Sequence, residues 1–132
     1  MTLFQIVALY TALALVLNVV LMLRVGRGRL AKGINLGDGG DADMTARVRA
    51  HGNFIENAPL MLLGLLGIAM LSGAPVALHI FGIAFIAGRV LHALGMAGTF
   101  SQGRIAGTAL TLFGYLGMAA YILFLIIARG PV

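Results

Sequence analysis

A group of polar residues stands at the start of a long apolar run, in the sequence RVRAHGNFIE. Positions i, i+4 and i+7 lie on one face of a helix, so Arg49, Asn53 and Glu56 are predicted to form one polar stripe. Arg89 and His92, three residues apart in GIAFIAGRVLHALGMAG, also share a helical face. Ionisable groups in a membrane segment are costly and normally face a partner or a wet cavity. These residues are therefore candidates for a site inside a helical bundle.

The charges in this part of the chain do not balance. A purely structural alternative pairs Glu56 with Arg89 or Arg49 and so ties the second helix to the third. One glutamate cannot neutralise three arginines, however, and Arg104 lies at a similar depth. A buried charge needs a partner, and the surplus here is cationic. The imbalance predicts an anionic ligand that completes the site.

Four apolar segments must position these residues. The chain has 132 residues, 61% hydrophobic and 10% charged, whereas about a quarter of the residues in soluble domains are charged. Each apolar segment approaches the roughly 20 helical residues that cross a bilayer core. Spanning segments satisfy their backbone internally, and short connections make neighbouring helices antiparallel. We predict one all-α membrane domain over residues 1–132, an antiparallel four-helix bundle with helices at about 3–23, 43–72, 76–98 and 104–128.

The connections between these segments carry cap and turn signals. The first connection is polar and Gly-rich, and either Asp41 or Asp43 is predicted to cap the second helix. The second connection, LSGAPVAL, is short and uncharged, so Gly73 and Pro75 predict a tight turn. The second helix is therefore long, and its first turns carry the polar stripe.

The basic residues are unevenly distributed, and this distribution predicts the orientation of the chain. The first connection contains most of them and the third contains Arg104, so the positive-inside rule places the 24–53 loop and Arg104 on the cytoplasmic side. Arg47 is expected to stay at the lipid surface. A juxtamembrane cluster is expected to meet anionic lipid headgroups, and it consists of Arg24, Arg27, Arg29 and Lys32. Within this cluster, Arg24 is closest to the membrane and best able to reach into the bundle.

The residue types also exclude several classes of chemistry. The chain has no cysteine, which excludes disulfides, thiolate metal sites and a cysteine nucleophile, so sulfur chemistry would have to come with a substrate. Three histidines without a close carboxylate pair or an HExxH spacing predict no metal site, and His79 is expected to lie at the membrane interface. The clustered basic residues indicate membrane topology, so we expect no nucleic-acid partner.

Three features of the sequence belong together: the motif RVRAHGNFIENAPLMLLGL, the motif GRVLHALG and an isolated arginine that opens the fourth helix. In these features the chain resembles the MAPEG family, membrane-associated proteins in eicosanoid and glutathione metabolism. The resemblance covers essentially the whole chain and is nearest to bacterial members. It implies a homotrimer in a bacterial inner membrane, with glutathione as cosubstrate bound between adjacent subunits near the cytoplasmic face.

The resemblance also assigns roles to residues. It implies that Arg104 is the catalytic residue, which stabilises the glutathione thiolate. It implies a binding set of Arg24, Arg49, Asn53, Glu56, Arg89 and His92. Three positions depart from the pattern of some relatives: Met96 stands in place of a tyrosine, Ile105 in place of a serine or threonine, and Gly52 in place of a basic residue. The departures at Met96 and Ile105 in particular argue against eicosanoid synthesis.

Three functions remain open at this stage. The first is a membrane glutathione transferase or peroxidase that attacks hydrophobic electrophiles or lipid peroxides. The second is a non-catalytic MAPEG-like protein that binds a lipid or a partner helix. The third is a small four-helix exporter, which would rely on a buried acid in its first helix, whereas residues 3–23 contain none.

Overall fold

The computed structural model describes residues 1–129, which form four helices and no strand. The helices are α1 (Leu3–Lys32), α2 (Ala42–Met70), α3 (Pro75–Met96) and α4 (Gly103–Arg129). All four are long and apolar enough to cross a membrane. The predicted all-α membrane bundle of four helices is therefore confirmed. Helices α2 and α3 each contact every other helix, whereas α1 and α4 do not contact each other.

Helix α1 runs further than its apolar segment. It begins with a capping box, in which Thr2 and Gln5 exchange hydrogen bonds, and it ends only where Gly33 adopts the left-handed conformation at φ 67°. The predicted end near residue 23 is thus nine residues short, because hydropathy marks the edge of the membrane and not the end of the helix. Arginine and lysine are good helix formers, and the intervening glycines each cost only about 1 kcal/mol.

The start of α2 is fixed by the cap that the sequence predicted. Asp41 is the N-cap residue, and its Oδ1 accepts a hydrogen bond from the Met44 N–H at 2.7 Å. Asp38 accepts hydrogen bonds from the Gly40 N–H at 3.0 Å and from the Thr45 hydroxyl at 2.7 Å. The connection is therefore an ordered turn that sets the rotation of α2, and with it the direction of the polar stripe.

Helices α3 and α4 approach each other closely through glycines. A Cβ atom added at Gly107 would lie 2.3 Å from the Gly88 carbonyl oxygen and 2.6 Å from the His92 nitrogen. A Cβ atom at Gly95 would lie 2.1 Å from the Arg104 nitrogen. Real side-chain atoms do not approach backbone this closely, so these positions need glycine. The close approach brings the first turn of α4 against the end of α3 and places Arg104 beside His92.

Candidate functional site

Four of the predicted site residues line one cavity of about 310 Å³ between α2, α3 and α4. Helix α2 contributes Arg49 and Asn53, α3 contributes His92, and α4 contributes Arg104. Met96 and Thr108 complete the lining. Three helices thus deliver two guanidinium groups, an imidazole and an amide to the same space.

The α2 wall carries a loose ion pair. Arg49 Nη1 lies 3.9 Å from Glu56 Oε1, and their side chains are 61% and 58% exposed. An exposed pair at this distance contributes about 0–1 kcal/mol at most. Both groups are therefore available to a ligand, with the cation and the anion about two helical turns apart on the same side of α2.

Arg89 is buried, at 3% exposure, and its partners are neutral. It donates hydrogen bonds to Asn53 Oδ1, to Thr111 Oγ1 and, at 3.0 Å, to the Gly107 carbonyl oxygen. The Nε atom has no hydrogen-bond partner in the described part of the chain. No carboxylate of residues 1–129 lies within 4.0 Å of this guanidinium. The pairing of Glu56 with Arg89 is therefore wrong for the single chain, and only the Arg49 pairing is present.

Arg104 is an exposed residue in the first turn of α4, and it borders two cavities. Besides the cavity of about 310 Å³, it lines one of about 340 Å³ that also includes Ser101 and Met96. No carboxylate in the described part of the chain reaches it. The Thr108 hydroxyl, one turn later, donates to the Arg104 carbonyl oxygen at 2.8 Å. The backbone of Arg104 is therefore held by its helix and by the close contact with α3, and its exposed guanidinium has no counter-ion within residues 1–129.

Arg24 lies apart from these residues. It is half-buried on α1, a helix that does not contact α4, and it lines none of the three polar cavities around Asn53 and Arg104. Its carbonyl oxygen accepts a hydrogen bond from Arg47 Nη1 at 3.2 Å. Arg47 also contacts Asp43 at 3.0 Å. Through these two contacts it joins α1 to α2.

The other histidines connect helices. His79 Nδ1 is 2.8 Å from the Tyr10 hydroxyl, and His51 Nε2 is 3.0 Å from Asn18 Oδ1. Both contacts join α1 to another helix and account for these polar groups structurally. Within residues 1–129, no group of three histidine or carboxylate side chains is placed to hold a metal ion.

Sequence comparisons identify the family of this chain and a similar protein. The model of the MAPEG family matches residues 7–124. The chain belongs to the MAPEG family. It is similar to the inner membrane protein YecN of Escherichia coli strain K12, with 31% identity over 104 residues and 79% of each chain covered. The protein of the same name from Escherichia coli O6:H1 matches equally well. No solved structure matches the chain.

The donor set of this MAPEG chain suits a ligand that carries two negative groups and one positive group. Arg49 and Arg104 are cations without a firm partner, and Glu56 is the carboxylate beside them. Guanidinium groups bind carboxylates through paired charge-assisted hydrogen bonds. The site can therefore bind a zwitterionic ligand with an excess of anionic groups.

Sequence reasoning missed the two threonines of α4 that face this region. Thr108 lines the cavity with Arg104, and Thr111 holds Arg89. A signal was present, because positions 104, 108 and 111 have the i, i+4, i+7 spacing that identified the stripe on α2. Applied to α4, the same rule predicts a second polar stripe opposite the first.

Proposed function

We propose that this MAPEG protein is a membrane-embedded, glutathione-dependent transferase or peroxidase that acts on hydrophobic electrophiles or lipid peroxides. The observation that carries the proposal is the convergence of Arg49, Asn53, His92 and Arg104 on one cavity. These residues come from three helices, and only Arg49 and Asn53 are close together in the sequence. A purely structural set of charges would have paired internally.

Glutathione fits the donor set of this cavity. It has two carboxylates, one ammonium and one thiol. Arg49 offers a bidentate partner for a carboxylate, which leaves Arg104 for the sulfur. Glu56 offers an anion for the ammonium, which accounts for a lone glutamate among cations. The chain itself contains no cysteine, so the reacting sulfur has to enter with the cosubstrate.

Arg104 has the role of stabilising the thiolate. A thiol with a pKa of about 8.5 is only ~3% ionised at pH 7, and lowering that pKa by ~2 units requires about 2.7 kcal/mol of differential stabilisation. A guanidinium without an internal counter-ion can supply this interaction. The sulfur then bonds to an electrophilic carbon while the leaving group departs with its electron pair. With a hydroperoxide, the sulfur takes one oxygen and releases an alcohol, and a second glutathione reduces the resulting sulfenic acid to the disulfide and water.

We further propose a homotrimer in a bacterial inner membrane, with glutathione between adjacent subunits. The separation of Arg24 from the cavity within one chain supports this arrangement, because a neighbouring subunit could bring its α1 to the ligand. The name of the similar YecN protein supports the inner membrane. The basic first connection and Arg104 support a cytoplasmic position for the glutathione site.

The ultraviolet absorbance of the thiolate on mixing protein with glutathione tests binding and activation together. Wild-type protein in detergent should give a thiolate band at pH 7. Arg104→Ala should lose that band and most of the turnover while keeping glutathione affinity within a few-fold by calorimetry. Arg27→Ala is the matched control, because Arg27 is an exposed arginine of α1. Undetectable binding at millimolar glutathione would overturn the proposal.

A non-catalytic lipid-binding role is the second candidate, and one observation favours it. An apolar cavity of about 350 Å³ lies between α1 and α2, lined by Ala14, Leu15, Asn18, Phe54, Ile55, Ala58, Pro59 and Leu62. Such a surface could hold an acyl chain or a partner helix. This alternative predicts that Arg104→Ala changes neither lipid binding nor any other measured property.

A further inference from the structure

A second polar cavity adjoins the proposed glutathione cavity deeper in the bundle. Its volume is about 200 Å³, and it shares Asn53 and Thr108 with its neighbour. The rest of its lining is Asn57, Arg89, Thr111, Leu112 and Tyr115. Six of these seven residues are polar, and polar groups between membrane-spanning helices normally face a partner or a wet space. The second cavity therefore suits a polar occupant.

The only formal charge in this lining is that of Arg89, and it has no counter-ion within residues 1–129. Its side chain is 3% exposed, its three acceptors are neutral, and its Nε atom has no hydrogen-bond partner in the described part of the chain. A guanidinium stays protonated in proteins, so the charge cannot be removed by losing a proton. A buried ion without an opposite charge is strongly unfavourable. The second cavity therefore favours an occupant with a negative charge.

The hydrogen-bonding groups of the second cavity are unequally used. Asn53 Oδ1 accepts from Arg89, and because a guanidinium only donates, the NH2 group of the Asn53 amide remains as a donor. Asn57 Nδ2 carries two hydrogens and uses one of them on the Asn53 carbonyl oxygen, at 2.7 Å. The Tyr115 hydroxyl lies 3.0 Å from Asn57 Oδ1. Both side-chain amide oxygens are thus engaged while N–H donors remain, which suits an anion better than a cation.

The size and the charge of the second cavity select a small monovalent anion. A water molecule takes about 30 Å³ of liquid volume, so a space of about 200 Å³ holds a halide ion with a few waters. Pockets that enclose a drug-sized ligand are larger, at roughly 300–1,000 Å³. One guanidinium balances one negative charge, whereas a divalent anion would leave a buried negative charge without a partner.

The glutathione cavity gives such an anion a polar route from water. Arg49 and Arg104 border that outer cavity, and both are exposed. Asn53 and Thr108 line both cavities, so the two spaces meet at these side chains. Cations at an entrance raise the local concentration of anions. An anion can therefore move from the exposed arginines to Arg89 along polar side chains.

We propose that the second cavity is a halide site, in which chloride is bound by the Arg89 guanidinium and by the amide N–H groups of Asn53 and Asn57. Bound chloride neutralises Arg89 and so stabilises the packing of α3 against α2 and α4. It also places a negative charge next to the glutathione cavity, where it disfavours the thiolate. That link to the thiol rests on the proposed function, whereas the binding of chloride does not require glutathione.

Thermal unfolding of the full chain in detergent tests the halide site when sodium chloride replaces sodium lactobionate at constant ionic strength. Lactobionate, a disaccharide carboxylate, has the same charge but is too bulky for the second cavity. The wild-type Tm should rise by roughly 3 °C or more and then level off as the site fills. Arg89→Gln should lose this rise, whereas Arg27→Gln, which removes an exposed cation of α1, should keep it. No response in the wild type, or an equal response in Arg89→Gln, would overturn the proposal.

Asn53→Asp gives a second test that keeps the buried cation. Asn53 already accepts a hydrogen bond from Arg89, so a carboxylate of the same shape would be an internal counter-ion. This variant should unfold at a higher Tm than the wild type in lactobionate, and its Tm should not respond to chloride. Asn18→Asp is the matched control on α1, outside the lining of the second cavity, and it should respond like the wild type. A full chloride response in Asn53→Asp would show that chloride acts elsewhere.

Bromide locates the site directly in the wild-type protein. Crystals grown in sodium bromide should give an anomalous scattering peak within hydrogen-bonding distance of the Arg89 guanidinium. A peak only at the exposed Arg49 or Arg104, or no ordered bromide at all, would contradict a halide site in the second cavity.

The thiolate absorbance of bound glutathione separates this inference from the proposed function. Replacing lactobionate by chloride should lower the wild-type thiolate band at pH 7 about twofold and leave that of Arg89→Gln unchanged. A Tm response to chloride without glutathione binding leaves the halide site standing and overturns the thiol chemistry. A thiolate band without any Tm response to chloride overturns only the halide site.

Discussion

The cations at the first connection and the cations at the α2–α4 cavities differ in how they are neutralised. At the connection, Lys32 contacts two carboxylates, those of Asp41 at 2.5 Å and Asp43 at 3.3 Å, and Arg47 shares Asp43. At the cavities, Arg49, Arg89 and Arg104 have among them, within residues 1–129, only Glu56, which lies 3.9 Å from the Arg49 guanidinium. Three of the four carboxylates in the chain thus lie where α1 meets α2.

This difference indicates two purposes for charge in one small protein. The paired charges of the connection fix how α2 leaves the membrane surface, and they can be satisfied by local sequence. The unpaired charges lie where three helices meet. Each of them lowers the stability of the fold unless an anion binds there. A charge without a counter-ion therefore indicates a ligand site in this protein. Matched substitutions in the two regions should consequently have different effects on ligand binding and on stability.

The largest contrast is expected between two arginines of α2. Arg49→Gln should weaken glutathione binding by roughly 10- to 150-fold, since a hydrogen bond to a charged group contributes about 1.5–3 kcal/mol. Arg47→Gln removes the same charge two residues away, from a side chain that contacts Asp43 and Arg24, and should change affinity less than threefold. Titration calorimetry on both variants measures the contrast. Equal losses would show that net charge alone attracts the ligand.

The second contrast concerns backbone packing at the same two regions. Gly107→Ala should destabilise the protein by about 1–3 kcal/mol, because its Cβ would lie 2.3 Å from the Gly88 carbonyl oxygen and neither backbone can yield cheaply. Gly26→Ala, in the extension of α1, meets nothing within 4 Å and should gain up to about 1 kcal/mol from helix propensity. Thermal unfolding in detergent compares the two. A neutral Gly107→Ala would mean that the α3–α4 contact is looser than described.

The two regions also differ in what could be predicted from the sequence. Local signals nearly sufficed at the connection, where the sequence predicted a cap at Asp41 or Asp43 and the structure has Asp41. The stripe on α2 was also accessible, because helical periodicity needs only one segment. The partners of Arg89 could not be predicted from the sequence, since Thr111 becomes its neighbour only through the glycine contact between α3 and α4. The position of Arg24 depends likewise on which helices touch, and hydropathy contains no such information.

A third contrast tests the assignment of the lone glutamate. Glu56→Gln should lower glutathione affinity by about tenfold if the carboxylate binds the ammonium, in line with about 1.5 kcal/mol for a charged hydrogen bond. The same variant should not change the affinity for glutathione acetylated on its amino group, which lacks that charge. Asp43→Asn is the control from the connection and should affect both ligands equally. A similar loss for the acetylated ligand would place Glu56 elsewhere on the tripeptide.

The smallest effect is expected from the carboxylates of the connection, and it should appear in stability against pH. Hydrogen bonds from the Gly40 N–H and then the Thr45 hydroxyl lower the pKa of Asp38, and the Lys32 ammonium followed by the Met44 N–H lowers the pKa of Asp41. A carboxylate whose pKa is lower in the folded state stabilises the fold above its unfolded pKa of about 3.9. That stabilisation disappears as the pH falls through the lowered folded pKa.

Asp41→Asn isolates this titration, because asparagine caps a helix about as well as aspartate but carries no charge. The Tm at pH 7 should fall by only a few degrees, through loss of the Lys32 contact, and the decline of Tm below about pH 4 should become shallower than in the wild type. Glutathione affinity at pH 7 should be unchanged, since Asp41 lies outside the lining of the cavity. An unaltered acid limb would assign the pH dependence to Asp38 or Asp43, whose pKa values are also lowered. A loss of glutathione affinity would show that the connection and the cavity are coupled. It would contradict the division between the structural charges of the connection and the ligand-binding charges of the cavity.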